Sequence, residues 1–154
     1  MEIRELRNRE DLDKDKRLAN IYKQFDKLLT ELKKKELSEV VIKSINDGVD
    51  QINAVSGADR KLRNQVRMTQ SEVLKFIEIE MGLVAKNHYR NTWMAIGMTA
   101  IGIPMGVVFG MSLGNIAFMG IGLPIGLAIG VAVGTGLDKK ALEEGRQIDF
   151  EIKH

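Results

Sequence analysis

Apolar residues recur every three or four positions along much of the first ninety residues, with charged residues between them, which is the spacing of an amphipathic helix. The first apolar stripe contains Leu18, Ile21 or Tyr22, Phe25, Leu28 or Leu29, and Leu32. Ile3, Leu6 and Leu12 fit this spacing poorly. We therefore expect a helix along the stripe and a frayed amino terminus before it.

Two more apolar stripes come after the first, each beyond an interruption. The second contains Leu37, Val41, Ile45, Val49, Ile52 and Val55, and the third contains Leu62, Val66, Val73, Phe76 or Ile77, Met81 and Val84. The five-residue step from Leu32 to Leu37 predicts a bend or turn near residues 33–38, with Ser38 as a helix cap. Neither glycine nor proline marks that step, so a continuous helix with a stutter is the alternative.

A second break is predicted at residues 56–59, where Gly57 can take the left-handed conformation and Asp59 can cap the next helix. From there the third stripe leads into a long apolar segment. We expect one continuous rod, with its first half in solvent and its second half in a membrane.

The apolar segment is 47 residues long, from Asn91 to Leu137, and contains no Asp, Glu, Lys, Arg or His. The core of a bilayer takes about 20 helical residues per pass, so the segment fits two passes. Gly114 and Asn115 provide turn chemistry at its centre, which predicts passes of about residues 92–113 and 116–137. The predicted organisation is an amphipathic helical region at residues 1–90, a transmembrane hairpin at 91–137 and a tail at 138–154.

Basic residues flank this segment on both sides, and its centre has none. Lys86, His88 and Arg90 precede it, and Lys139, Lys140 and Arg146 come after it. The positive-inside rule then predicts an integral membrane protein with both termini in the cytoplasm, in the inner membrane if the protein is bacterial. The residues expected at the membrane interface are Tyr89, Arg90, Trp93, Lys139 and Lys140.

Within the charge-free segment the pattern Ile-Gly-x-Pro-x-Gly-x-x-x-Gly-x-x-x-Gly occurs twice, twenty residues apart. Four residues advance a helix by about 400°, so these glycines share one face and leave a groove without side chains. The predicted helix-packing residues are Gly102, Gly106, Gly110, Gly114, Gly122, Gly126, Gly130 and Gly134. Over residues 97–136 the chain resembles the glycine-zipper membrane proteins. The resemblance implies close helix packing, commonly in homo-oligomers that include channels and pore formers.

Two interpretations of the grooves stay open: they pack on each other within one chain, or on other subunits, with oligomerisation favoured. A further stripe of small residues, Ala128, Ala132 and Gly136, gives the second pass another contact face. Pro104 and Pro124 occupy matching positions and each lacks an amide donor, so kinks are expected there.

The sequence provides no candidate catalytic, cofactor-binding or metal-binding residue, and we expect neither an enzyme nor a cofactor. The two histidines, His88 and His154, have no companion ligand at metal spacing, and the chain has no cysteine. A net charge of +2 gives little support to nucleic-acid binding.

The tail allows two conformations. Ile148, Phe150 and Ile152 alternate with polar residues, which predicts a short strand or an extended docking segment. A helix from Asp138 to about Gln147 is equally consistent with the sequence.

Together these patterns predict an all-α fold in which long amphipathic, coiled-coil-like helices lead into a two-pass transmembrane hairpin with glycine-zipper packing. The expected function is that of an oligomeric protein whose hairpins assemble a bundle in the lipid bilayer, as a channel, a pore-forming effector or the membrane base of a larger complex. The alternative is a non-conducting anchor or adaptor, in which residues 1–85 recruit a cytoplasmic protein partner.

Overall fold

The computed structural model describes residues 2–9, 12, 15–57 and 60–152, and over these residues the fold is all-helical, with no β-strand. The chain divides into two compact units. The first, which we call the helical domain, comprises residues 1–85 together with 148–154. The second, which we call the hairpin, comprises residues 86–147.

Three amphipathic helices build the helical domain: α1 (Lys16–Lys33), α2 (Glu39–Ala54) and α3 (Arg60–Met81). Their apolar stripes face one another, as their spacing predicts, and form one core. Its fully buried members include Phe25, Leu28, Ile45, Ile52, Leu62 and Ile77.

A break separates α1 from α2, so the two are not one continuous helix. The helix α1 ends at Lys33, and the Ser38 hydroxyl accepts a hydrogen bond from the Val41 amide at the start of α2, at 3.4 Å. At the second predicted break, α2 ends at Ala54 and Gly57 has a φ of +82°. The proposed cap, Asp59, lies outside the described residues.

Residues 2–9 pack against the rest of the helical domain, so for these residues the prediction of a frayed terminus is wrong. Ile3 is 8% exposed and joins the core, and Leu6 packs against it. The reason is that side chains of α2 hydrogen-bond to the backbone of this segment, which a helical apolar pattern does not report.

The prediction of a single rod from α3 into the apolar segment is also wrong. The helix α3 ends at Met81, and Gly82 comes next with a φ of +65°, a conformation that glycine takes readily. Leu83, Val84 and Ala85 are then buried in the helical domain.

The tail returns to the same core after the hairpin. Ile148 and Phe150 are each 1% exposed, and the Ile148 amide donates to the Val84 carbonyl at 2.9 Å. Neither conformation left open by the sequence describes the whole tail, because its described residues form no strand and the helix predicted to about Gln147 ends earlier. Its first residues continue a helix as far as Glu143, and residues 148–152 are non-helical.

The hairpin consists of two antiparallel helices, α4 (His88–Ser112) and α5 (Ile116–Glu143), and both are long and apolar enough to cross a membrane. The turn between them uses the residues that the sequence indicates. Gly114 has a φ of +63°, and the Asn115 side chain accepts from the Ala117 amide at 2.9 Å. At the far end, Gly145 closes α5 with a φ of +70°, and the Arg146 amide donates to the Ala141 carbonyl.

Candidate functional site: the apolar hairpin

The outward faces of the hairpin are apolar and exposed. In the most apolar part of α4 only 22% of residues are buried within the chain, and in α5 only 17%. Met111 is 79% exposed and Ile116 is 81% exposed. A core helix of a soluble domain is mostly buried, so the chain itself does not provide the cover that such helices require in water.

The inward face of α5 is made of glycines that lie directly on the backbone of α4. Gly122, Gly126, Gly130 and Gly134 are all buried. A Cβ atom at Gly126 would lie 2.6 Å from the Gly102 amide nitrogen, and one at Gly134 would lie 2.6 Å from the Tyr89 carbonyl oxygen. Real Cβ atoms do not come this close to other atoms, so no larger residue fits these positions without moving the helices apart.

The inward face of α4 differs from the predicted one. Gly102, Gly106 and Gly110 face α5, but Gly114 lies in the turn, with nothing within 4 Å of its Cβ position. Gly97, which the four-residue pattern does not include, takes the fourth place on this face and meets Gly130. The observed packing face of this helix therefore includes Gly97 in place of the predicted Gly114.

A π-helical turn at Gly97–Gly102 explains this shift. Its hydrogen bonds span five residues instead of four, as in the bond from the Ile103 amide to the Met98 carbonyl. The turn thereby brings Gly97, five residues before Gly102, onto the same face. The five-residue glycine step beside a proline is the sequence signal that could have indicated it.

Both prolines come after an irregular turn. Pro104 lies directly after the π turn, in the first turn of the α-helical segment Ile103–Ser112. Pro124 lies after a 3₁₀ segment, Ile116–Ile121, that opens α5. A proline removes an amide donor and crowds the carbonyl four residues earlier, and a change of helix type at that point accommodates both effects.

Asp138, the first charged residue after the apolar segment, closes the open end of the hairpin. It continues the glycine face of α5 by one four-residue step and is buried. Its carboxylate accepts hydrogen bonds from the Tyr89 amide at 3.0 Å and the Arg90 amide at 2.9 Å. These amides belong to the first turn of α4, whose own preceding residue, Asn87, makes no side-chain cap. Asp138 therefore caps α4 from the neighbouring helix, a role that the sequence pattern did not reveal.

The predicted interface residues cluster at this same end. Tyr89 and Arg90 lie at the start of α4 against Gly134, and the backbone of Trp93 lies against Gly130. Lys139 and Lys140 come directly after Asp138 and are largely exposed.

Arg146 adds a second link across this end. Its Nε donates to the Glu144 carboxylate at 2.7 Å, which holds the pKa of Glu144 below its ordinary value. Hydrogen bonds with Glu144 and with Tyr89 raise the pKa of Arg146 above its ordinary value. Arg146 thus ties the end of α5 to the first turn of α4.

The hairpin offers little reactive chemistry. No ionisable residue of the Asp, Glu, Lys, Arg or His types occurs from Asn91 to Leu137. Across the described part of the chain, no three His, Cys, Asp or Glu side chains are grouped so that they could hold a metal ion. What the arrangement provides is a closely packed apolar pair of helices with charged groups at one end.

Comparison with known proteins finds no matching family model, no matching curated protein and no matching solved structure.

The packing of the glycine face predicts the effect of added methyl groups. Gly126→Ala should force α4 and α5 apart, because the new Cβ would meet the backbone of Gly102. The expected destabilisation is about 1–3 kcal/mol. It can be measured by titrating the detergent-solubilised protein with sodium dodecyl sulfate and following the fluorescence of Trp93, the only tryptophan.

Gly136→Ala on the same helix is the matched control, since no atom lies within 4 Å of its Cβ position. Equal midpoints for the two variants would contradict this packing.

The cap predicts a local effect of Asp138→Asn. The amide keeps one acceptor oxygen but loses the charge and the second acceptor, so the first turn of α4 should lose about 1–2 kcal/mol of stability. Hydrogen exchange at the Tyr89 and Arg90 amides, measured by NMR, should become faster. Glu143→Gln, an exposed change on the same helix, should leave both rates unchanged.

Proposed function

We propose that the protein is a non-conducting integral membrane anchor, whose hairpin crosses the bilayer twice and whose helical domain recruits a protein partner. The observation that carries the proposal is that the inner and outer faces of the hairpin have different surroundings. Its glycine faces are occupied by each other within one chain, and its outer faces are apolar and exposed. This combination supports an anchor that satisfies its own packing in lipid.

Glycine-zipper packing within the chain is part of the proposal. Lipid tails are as apolar as the helices, so helix association in a bilayer depends on close packing. The contact of glycine with backbone along α4 and α5 supplies it over most of the hairpin's length. A proton path or a charged selectivity ring would need charged groups in the hairpin, and residues 91–137 carry none.

The connectivity of the helical domain supports a hairpin whose two ends lie on one side of the membrane. Leu83 and Ala85 before the hairpin, and Ile148 and Phe150 after it, are buried in the same core. A chain that crosses twice returns to the side it left, which this shared core requires. The basic residues beside the hairpin favour the cytoplasm as that side.

Labelling of single cysteines in sealed vesicles tests this topology, because the natural chain has none. Lys23→Cys and Asp149→Cys, both exposed in the helical domain, should react with a membrane-impermeant maleimide from the same side. Ser112→Cys, at the end of α4, should react only from the opposite side. Labelling of Ser112→Cys from the same side as the other two would show that the hairpin does not span the bilayer.

A second candidate function is the oligomeric membrane bundle. The observation in its favour is the small-residue stripe on α5, Ala128, Ala132 and Gly136, which stays exposed on the outer face. Oligomers would then form through this stripe and not through the glycine grooves. The mass of the detergent-extracted protein separates the candidates: a monomer excludes the bundle, whereas an oligomer that Ala132→Leu dissociates would replace the anchor proposal.

A further inference from the structure

Residues Glu2–Arg9 lie in the helical domain in the way that a bound peptide lies in its receptor. We call them the arm. None of them is in a helix, and every third side chain points inward, at Ile3, Leu6 and Arg9, while the residues between them are exposed. The arm contacts α2 with its backbone and its inward side chains, and both kinds of contact are available to a peptide from another molecule.

Two asparagines of α2 hold the backbone of the arm. The Asn46 side chain accepts from the Arg4 amide at 2.7 Å and donates to the Glu2 carbonyl at 2.9 Å. Asn53 repeats this one step further along: it accepts from the Arg7 amide at 2.8 Å and donates to the Glu5 carbonyl at 3.2 Å. Each asparagine therefore hydrogen-bonds to main-chain atoms at both ends of one three-residue unit, residues 2–4 or residues 5–7.

The spacing of the two asparagines matches the spacing of the units. Seven residues of α-helix advance about 10.5 Å. Three residues of a chain that turns every third side chain to the same side, as in polyproline II geometry, advance about 9 Å. The arm's sequence has the same period, because Glu2-Ile3-Arg4 is followed by Glu5-Leu6-Arg7, an acidic, an apolar and a basic residue in each unit.

Charged contacts at the edges of the groove suit this order of residues. The acidic residue Glu5 pairs with Lys33 at 3.1 Å, and the basic residue Arg4 pairs with Asp50. At the far end, the Arg9 guanidinium donates to the Val55 carbonyl at 2.6 Å and to the Ile52 carbonyl at 3.1 Å, at the carboxyl end of α2.

The arm leaves space beside it. An open surface pocket of about 640 Å³ adjoins its first half. It is lined by Glu2, Ile3, Arg4 and Glu5 of the arm and by Leu32, Lys33, Lys35, Leu37 and Ile42. A peptide with a side chain larger than isoleucine at the Ile3 position would fill more of this space. Acidic residues beside that side chain would lie near Lys33 and Lys35. The arm of a second copy would leave the same pocket open.

We propose that this groove is a docking site for an extended peptide segment of a partner protein, and that the arm is its exchangeable internal occupant. The partner segment carries two acidic–apolar–basic units, with an aromatic or other large apolar residue in the first. This rests on the anchor proposal and deepens it by naming how the helical domain recruits its partner. The arm competes with the partner for the groove, so recruitment requires the arm to leave.

The test uses the full chain in detergent micelles and a fluorescein-labelled synthetic peptide with the sequence of residues 2–9 carrying Ile3→Phe. A protein with Ile3→Asp and Leu6→Asp, which weakens its own arm, should bind the peptide at least about tenfold more tightly than the natural chain, as expected if the groove is open in a tenth or fewer of natural molecules. Adding Asn46→Ala and Asn53→Ala should abolish binding. A peptide carrying Ile3→Asp and Leu6→Asp is the control and should not bind.

A weakened-arm variant that keeps its helical circular dichroism but does not bind the peptide would overturn the proposal. So would a natural chain whose arms join two copies, shown by a dimer mass that the weakened-arm variant lacks. If the variant does not fold, hydrogen exchange of the natural chain decides. The Arg4 and Arg7 amides should exchange at least about a hundredfold faster than the core amides of α1 to α3, through local opening of the arm. Equal protection would refute exchange of the arm.

These measurements are independent of membrane residence. Peptide binding in micelles reports on the groove, whereas labelling in vesicles reports on the hairpin. Failure of the docking proposal would appear in peptide binding, and failure of the anchor proposal would appear in vesicle labelling.

Discussion

Direct contact between the backbones of α4 and α5 is the interaction on which the hairpin depends. Where glycine faces glycine, as at Gly102 and Gly126, main-chain atoms of both helices meet with no side chain between them. Dense contact of this kind is what holds helices together wherever apolar burial provides no driving force between them. The π turn and the position of Asp138 can both be understood as ways to extend this contact from the turn to the open end.

The hairpin is inserted into the sequence of the helical domain, not attached to its end. Leu83 and Ala85 on one flank, and Ile148 and Phe150 on the other, belong to one core. The two flanks are joined by the hydrogen bond from the Ile148 amide to the Val84 carbonyl. The domain core is therefore complete only when the chain has passed through the whole hairpin. Complete folding of the helical domain therefore depends on the hairpin bringing its two ends together.

Much of the fold could be predicted from periodicity, because helical faces bury residues three and four apart. The three amphipathic stripes were predictable on this basis. The two long apolar helices were predictable from the length of the charge-free segment, and the turn between them from the turn chemistry of Gly114 and Asn115. Contacts between residues distant in sequence were not. Asp138 caps a helix that begins about fifty residues earlier, and Asn46 reaches a segment 42 residues away, and no local pattern reports either pairing. Gly82, a single glycine in an otherwise helical stretch, was a readable signal that ends α3.

The arm and α2 have different periods, yet their contacts stay in step from Asn46 to Asn53. Three residues of the arm and seven of α2 cover nearly the same length. Each three-residue unit of the arm therefore meets one asparagine of α2. Such a pair is extensible in whole units. One added heptad on the helix would offer one more asparagine position and accept one more triplet, with the existing contacts unchanged. The length of arm that α2 holds in this arrangement therefore changes in steps of three residues.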